Sequence, residues 1–262
     1  MIRVCKLCLK PKDLQDSHFM PAAMYKYVRD PDATKKNRNP VLVTAKTTTT
    51  TSKQVTDYVL CSGCEELFNK NGENWMLKQV WNGKRFPLRD RLAVALPLQP
   101  YTLSNSIAFS GAMAGIDTEQ LGYFALSVIW RAAVHQWDSP SGRKTTVLNL
   151  GTAEEPIRTF LLGETPFPAS VAILAVVCMD PYSRGVFYMP AQTTGISGRS
   201  FVMLARGVQF MVFTGDSIPP IVHQMCCVKS AAKLIFQRDC SQKTLEAYAQ
   251  LMNQRPIPIV GR

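Results

Sequence analysis

Two Cys-x-x-Cys pairs, Cys5 with Cys8 and Cys61 with Cys64, constrain this chain more than any other feature of its sequence. Each pair lets two sulfur atoms face one ion from a tight turn, so two pairs supply the four ligands of a tetrahedral Zn²⁺ site. The 52 residues between the pairs exceed the roughly 15–20 of common zinc ribbons, which places an insertion between the two halves of the site. We predict structural zinc. A redox pair or buried free cysteines are the alternatives, and no βαβ pattern supports the redox reading.

The rest of the composition is that of an ordinary globular chain. The residues before Cys5 contain no apolar run, which predicts no secretory signal and therefore a cytoplasmic protein with reduced thiols. The apolar stretches are too short to cross a bilayer, so no membrane association is expected. The other four cysteines lack metal-ligand spacing and are predicted to be buried thiols: Cys178, Cys226, Cys227 and Cys240.

Positive charge is concentrated at the cysteine-rich end. Residues 1–91 carry 17 Lys and Arg against 9 Asp and Glu, whereas residues 92–262 carry 13 against 10. Such a surplus favours a polyanion through counterion release, and we predict that Lys35, Lys36 and Arg38, in a polar and threonine-rich insertion, contact nucleic acid. An insertion without a function is the alternative for this composition.

Proline-punctuated residues near 92–100 predict a boundary between two domains. Residues 1–91 would form the zinc module, and residues 92–262 an α+β domain of unknown role. In the second segment the pattern predicts a core helix after Asp117, a buried strand over 171–179 and a tight hairpin around Arg206-Gly207. The expected fold class is α+β.

Two further motifs accompany the cysteines. Ser17-His18-Phe19-Met20-Pro21 lies between the pairs, and Glu65-Glu66 follows the last cysteine at the expected start of a helix. Across residues 4–75, the order of these motifs resembles the HNH (ββα-metal, His-Me finger) endonucleases that are braced by a Cys₄ zinc. The resemblance implies a treble-clef, ββα-metal-like module that cleaves phosphodiester bonds in nucleic acid. Beyond that segment, the chain is similar to uncharacterised bacterial proteins.

The resemblance also implies residue roles. His18 would be the general base that activates water, and Glu65 and Asn69 would hold a catalytic Mg²⁺ or Mn²⁺. Ser17 departs from the family, which has a carboxylate or imidazole ligand there, so either metal affinity would be reduced or Asp16 or Glu73 would have to contribute. The alternatives are that His18 packs beside the zinc or caps the end of the strand, and that Glu65 is only an N-terminal helix acid stabilised by the helix dipole.

Three hypotheses therefore follow. The first is a metal-dependent endonuclease. The second is a non-catalytic zinc module that binds nucleic acid, with a degenerate HNH site because Ser17 stands in a ligand position. The third is a protein-interaction scaffold, whose partner would be another protein or a second copy of the chain.

Overall fold

The chain combines helices with antiparallel and mixed sheets, so the predicted α+β class is confirmed. A computed structural model describes residues 2–28, 41–43, 48–83, 85–103, 106–139, 142, 144–180, 183–193 and 198–238. The nucleic-acid contacts predicted at Lys35, Lys36 and Arg38 lie outside these residues.

The first segment forms a small sheet followed by consecutive helices. In chain order its elements are β1 (Ile2–Val4), β2 (Pro11–His18), α1 (Ala22–Tyr27), β3 (Val41–Val43), β4 (Thr48–Thr50), β5 (Thr56–Cys61), α2 (Ser62–Phe68), a π-helical turn (Asn69–Glu73), α3 (Asn74–Val80) and α4 (Pro87–Val94). β2 lies between β1 and β5 and is antiparallel to both, while β3 and β4 form a separate hairpin.

A bulge in β5 interrupts the regular pairing of this strand with β2. Two steps along β2, from Leu14 to Asp16, are matched by three steps along β5, from Cys61 to Tyr58, so the extra residue lies in β5. Three successive residues of β5, Val59 to Cys61, are buried at this point, and the buried residues of β2 are Leu14 and Ser17. The strand then delivers His18 to its last position, opposite Thr56 on β5.

The residues Asn69-Lys70-Asn71-Gly72 are typical of a helix break or C-cap, but the chain does not leave the helical conformation there. The chain continues from α2 into α3 through the π-helical turn, and Gly72 is buried within that turn. A Cβ at Gly72 would lie 2.8 Å from the backbone nitrogen of Phe124, so glycine is what allows the next core helix to approach this closely.

The second segment is built on one large sheet. Its elements are β6 (Pro97–Leu103), β7 (Ser106–Ser110), α5 (Thr118–Val134), a 3₁₀ turn (Gly151–Ala153), α6 (Glu154–Leu161), β8 (Val171–Cys178), a 3₁₀ turn (Ser183–Gly185), β9 (Phe187–Thr193), β10 (Arg199–Ala205), β11 (Val208–Thr214), α7 (Pro220–Gln224) and β12 (Leu234–Arg238). The strand order is β6-β7-β12-β8-β11-β10-β9, in which β12 runs parallel to β8 and the other described pairs are antiparallel.

Helix α5 is the central element of the core. Asp117 caps it: one carboxylate oxygen accepts from the Gln120 backbone N–H at 3.0 Å and the other from the Gln120 side chain at 2.8 Å. Nearly every residue from Thr118 to Ala133 is buried, because the helix has the sheet on one side and the first segment on the other. The Phe124 ring packs on Phe210 of β11 with centroids 5.9 Å apart.

The two segments share one continuous apolar core in the described part of the chain. Phe68 of α2 contacts the rings of Tyr123 and Trp130 on α5, and Phe19 contacts Trp137. Residues of both segments belong to the same buried cluster. The boundary between residues 91 and 92 stays a prediction. None of the described helices combines the length and the apolarity needed to cross a membrane.

Candidate metal centre and its surroundings

The four cysteines of the two pairs converge on one point. Cys5 and Cys8 lie in the turn between β1 and β2, Cys61 ends β5, and Cys64 lies in the first turn of α2. Their sulfur atoms are all within 4.8 Å of one another, and the Sγ atoms of Cys8 and Cys61 are 4.0 Å apart. A tetrahedron with Zn–S bonds of about 2.3 Å has edges of about 3.8 Å. The predicted cluster is therefore present, and it could hold a metal such as zinc.

Backbone hydrogen bonds hold the first knuckle in shape. The Cys5 N–H donates to the Lys10 carbonyl at 3.0 Å, and the Leu9 N–H donates to the Cys5 carbonyl at 2.9 Å. The Lys6 N–H donates to the Val59 carbonyl at 3.1 Å, which ties the knuckle to β5. The Cys61 N–H points at the Cys5 Sγ at 3.4 Å, as amides around a metal-bound thiolate do.

The thiols interact strongly with one another. The hydrogen bond with Cys64 is the main cause that lowers the pKa of Cys5 to about 4, and the same bond raises the pKa of Cys64. Burial raises the pKa of Cys8. Four thiolates this close repel one another, so their joint ionisation requires a cation.

Elsewhere the described part of the chain offers no comparable site. Among these residues no second group of three or more His, Cys, Asp or Glu side chains lies close enough to share a metal. Cys178, Cys226 and Cys227 are buried thiols, in line with the sequence, and Cys240 lies outside the described residues.

Ser17 positions the second knuckle. Its side chain is 1% exposed, and its Oγ accepts a hydrogen bond from the Leu60 N–H at 3.0 Å. Because Leu60 directly precedes Cys61, this bond fixes the backbone that presents a cysteine ligand. In the sequence, Ser17 stands out only as a departure from the HNH pattern.

Glu65 lies beside Ser17 in a mostly buried position. Burial raises the pKa of its carboxyl group, and the nearby Arg131 and the Ser17 hydroxyl oppose that rise, while Glu73 adds to it. Its Oε1 atom is buried without a hydrogen-bond partner among the described residues. His18 also contributes a favourable charge interaction with Glu65, so the two groups occupy the same neighbourhood.

Arg131, which the sequence did not single out as a site residue, fills the space between β2 and the π-helical turn. Its side chain is 1% exposed, and one guanidinium nitrogen donates to the Phe19 carbonyl at 2.8 Å. The other terminal nitrogen donates to the carboxylate of Glu73. The Cζ atom lies 4.7 Å from the centre of the Phe68 ring. A permanent positive charge from α5 therefore stands next to Glu65 and Glu73.

Of the three predicted catalytic residues, two lie in the same neighbourhood and one is exposed to solvent. His18 is half-buried, with its ring centroid 6.5 Å from that of Tyr25. Glu65 is in the neighbourhood just described, whereas Asn69 is exposed at the start of the π-helical turn. Their catalytic roles stay predictions.

A second histidine has a partner that sequence reasoning missed. His135 follows α5, and its Nε2 lies 2.8 Å from an oxygen of Asp57 on β5. Burial tends to raise the pKa of Asp57, but the hydrogen bonds from His135 and from the Tyr58 N–H outweigh it, so that pKa is lowered. Because the two residues are 78 positions apart, no local pattern could have indicated the pair.

Basic side chains cover the outer surface of the first knuckle. Arg3 and Lys12 face each other across β1 and β2, and Lys6 and Lys10 lie in the turn between the strands. All four are exposed.

No family model, no curated protein and no solved structure matches the chain.

Proposed function

We propose that this chain binds nucleic acid through a zinc-stabilised, HNH-like module that does not cleave its ligand. The observation that carries the proposal is the exposed basic surface of the first knuckle, formed by Arg3, Lys6, Lys10 and Lys12. These side chains are carried by a turn whose shape depends on Cys5 and its metal-ligand neighbours. Several cations on one turn and its flanking strands suit the phosphate backbone of a nucleic acid.

The HNH-like arrangement is supported by the order of the elements. A cysteine knuckle is followed by β2 and β5, and the second knuckle leads directly into α2. A treble clef consists of such a knuckle, hairpin and helix, and a ββα-metal module of such a hairpin and helix. His18 ends the first strand of the hairpin, which is the position the resemblance requires for the general base.

The absence of cleavage is proposed on the basis of Arg131. The Ser17 hydroxyl oxygen accepts a hydrogen bond from the Leu60 N–H. The guanidinium group of Arg131, which lies beside Glu65, donates to the Phe19 carbonyl and to the Glu73 carboxylate. A divalent cation at Glu65 would have to share this small volume with a fixed positive charge, which costs electrostatic energy in a buried site.

Endonuclease activity is the second candidate, and the half-buried His18 near Glu65 favours it. In that case Glu65 and Asn69 would hold Mg²⁺ or Mn²⁺, which would supply polarisation of the scissile phosphate. His18 would take the proton from the attacking water.

Salt-dependent binding tests the first candidate. We expect the zinc-loaded protein to bind single- or double-stranded DNA or RNA with an affinity that falls steeply with salt. Changing Lys6, Lys10 and Lys12 together to Gln should lower the slope of log K against log salt by about 3, roughly one unit per lost phosphate contact. The matched control is K78Q on α3, an exposed lysine away from the knuckle.

Plasmid and RNA incubated with Mg²⁺ or Mn²⁺ separate the candidates. Cleavage that disappears in H18A, while zinc content persists, would establish the endonuclease and overturn the non-catalytic proposal. Binding without cleavage supports the first candidate. If neither is observed, both are wrong, and the protein-interaction hypothesis stays.

A further inference from the structure

Arg206 holds a backbone conformation that arginine rarely adopts. It is the first turn residue of the hairpin between β10 and β11, with φ of 50°, and Gly207 follows with φ of 84°. A two-residue turn with both φ values positive favours Asn, Asp or Gly at the first position. Strained residues of this kind concentrate at functional sites, where the side chain is needed in one place.

The side chain of Arg206 leaves the hairpin and reaches the first segment. Its Cζ lies 4.2 Å from the ring centre of Trp81 and 4.9 Å from that of Tyr27, and its Nε donates to the Arg184 carbonyl at 2.8 Å. Arg206 is 5% exposed, yet its Nη1 has no hydrogen-bond partner among the described residues. A buried charged donor calls for an acceptor.

Positive charge exceeds negative charge around this group. Burial, the main cause, lowers the pKa of Arg206 to about 10, and the charge of Arg184 adds to the effect. Burial likewise lowers the pKa of Arg184, followed by the repulsion of Arg89. Asp180 and Asp90 are the acidic groups that act on Arg184. The Nε atom of Arg184 is also buried without a partner in the described part of the chain.

The two carboxylates are partly committed to other groups. Asp90 pairs with the exposed Arg85 at 3.0 Å, and one oxygen of Asp180 accepts from the Ser183 N–H at 2.8 Å. The remaining oxygen of Asp180 is buried and has no hydrogen-bond partner among the described residues. The three arginines 206, 184 and 89 are therefore accompanied by two carboxylates, one of which is already paired with Arg85, and this leaves a surplus of positive charge.

The start of α4 faces the same cluster. Its N-cap residue, Phe86, supplies no side-chain hydrogen bond to the first turn, and Pro87 follows. The Phe86 ring packs against the hairpin turn, since a Cβ at Gly207 would lie 2.9 Å from it. The N–H groups of an uncapped first turn attract anions, and this turn carries Arg89 together with Asp90, whose charge is paired with Arg85.

We propose that Arg206, Arg184 and Arg89, together with the first turn of α4, form a binding site for a phosphate group. Guanidinium forks match phosphate oxygens, and a helix start adds further donors. The phosphate would belong either to a small phosphorylated ligand or to a nucleic-acid strand. The site lies between the first segment and the hairpin of the large sheet, and it does not depend on the function proposed above.

Thermal unfolding of the full, zinc-loaded chain tests this site, with inorganic phosphate as the probe and sodium chloride at equal ionic strength as the reference. Phosphate should raise the unfolding midpoint in a concentration-dependent way, as expected for a ligand that binds the folded state. R184Q and R89Q should each weaken the apparent affinity about tenfold or more, because each removes a charge-assisted contact. K78Q should respond as the wild type does.

R184Q and R89Q are tested separately, so that a folding defect in one of them cannot decide the result. Zinc content and far-UV circular dichroism verify that each variant is folded. If phosphate stabilises no more than chloride, or if R184Q and R89Q respond as the wild type does, the proposal is wrong. A single-stranded oligonucleotide identifies the source: weaker binding by R184Q indicates a strand phosphate, and unchanged binding indicates a small ligand. The Lys6, Lys10 and Lys12 variant should keep the phosphate response, which separates this site from the knuckle surface.

Discussion

Arg131 and Glu65 show how a few buried charges decide what this molecule can do. Arg131 is held by the Phe19 carbonyl and by Glu73, while Glu65 has a buried oxygen without a described partner. Both terminal nitrogens of Arg131 have partners, although its Nε has none among the described residues, so this residue is mainly structural, whereas burial of Glu65 costs stability. Their substitution should therefore have opposite effects on the free energy of unfolding.

Replacement of Arg131 by Met should destabilise the protein by about 3–5 kcal/mol, because Glu73 would be left as a buried charge without its partner. Urea denaturation measures the change, and the double variant R131M/E73Q should recover part of it. The control is R85M, whose pair with Asp90 is largely exposed and should contribute about 0–1 kcal/mol. An R131M protein as stable as the wild type would contradict the structural role.

Replacement of Glu65 by Gln should stabilise the protein at neutral pH. The folded-state pKa of this carboxyl group lies above its ordinary value of 4.5, so folding is penalised as pH rises through 4.5 towards the folded-state pKa. The advantage of E65Q should disappear near pH 4, where both states are protonated. Urea denaturation at the two pH values measures it, with E66Q, an exposed neighbour, as the control. A destabilised E65Q at neutral pH would be inconsistent with this.

At the scale of elements, two features hold the short strands of the first segment in place. They are the cysteine knuckles and the contact of Asp57 on β5 with His135, which follows α5. β1 contains three residues, and all are exposed, so the position of this strand depends on the first knuckle rather than on core packing. The hairpin of β2 and β5 is anchored at one end by the cysteines and touches His135 through Asp57. Loss of the cysteine site or of the Asp57–His135 contact should therefore destabilise β1, β2 and β5 before other elements.

The cysteine cluster should bind about one zinc ion per chain, and C64A should bind none. Elemental analysis measures the stoichiometry. The unfolding temperature of C64A should fall, since binding energy of a structural metal is folding energy. C227A is the matched control, because that buried thiol lies outside the cluster and its replacement should leave zinc bound. Equal zinc content in C64A and C227A would show that the four-cysteine cluster does not bind the metal.

The pair of Asp57 and His135 should make stability pH-dependent. The pKa of Asp57 is lowered by folding, so its contribution is present above the ordinary value of 3.8 and is lost as pH falls through the folded-state pKa. D57N should cost about 1 kcal/mol or less at neutral pH, because both side chains are partly exposed. The difference should vanish in acid. D16N, on the exposed side of β2, is the control.

At the scale of the whole molecule, the continuous core predicts cooperative unfolding. Phe68 and the π-helical turn pack on α5, so the first segment cannot lose its structure without exposing the central helix. We expect a single calorimetric transition with equal calorimetric and van't Hoff enthalpies. Two separated transitions would instead support independent domains divided near residue 92.

What could be predicted from sequence was mainly local. The Cys-x-x-Cys spacing predicted the four-sulfur cluster, and the Asp117 and Gln120 pattern predicted the start of α5, because each depends on residues close together in the chain. Arg131 meets Glu73 across 58 positions, and such a contact has no local signature. Gly72 was interpreted as a break for the same reason, since only the approach of α5 explains it.

The position of β12 has a consequence for how the protein is made. This strand comes late in the chain, yet it lies between β7 and β8 and joins the two halves of the large sheet. During synthesis, β8 to β11 can pair as they emerge from the ribosome, and so can β6 with β7, but the two parts can be joined only after β12 has been translated. Until then each part presents an open strand edge, so this is the period when the nascent chain most needs a chaperone.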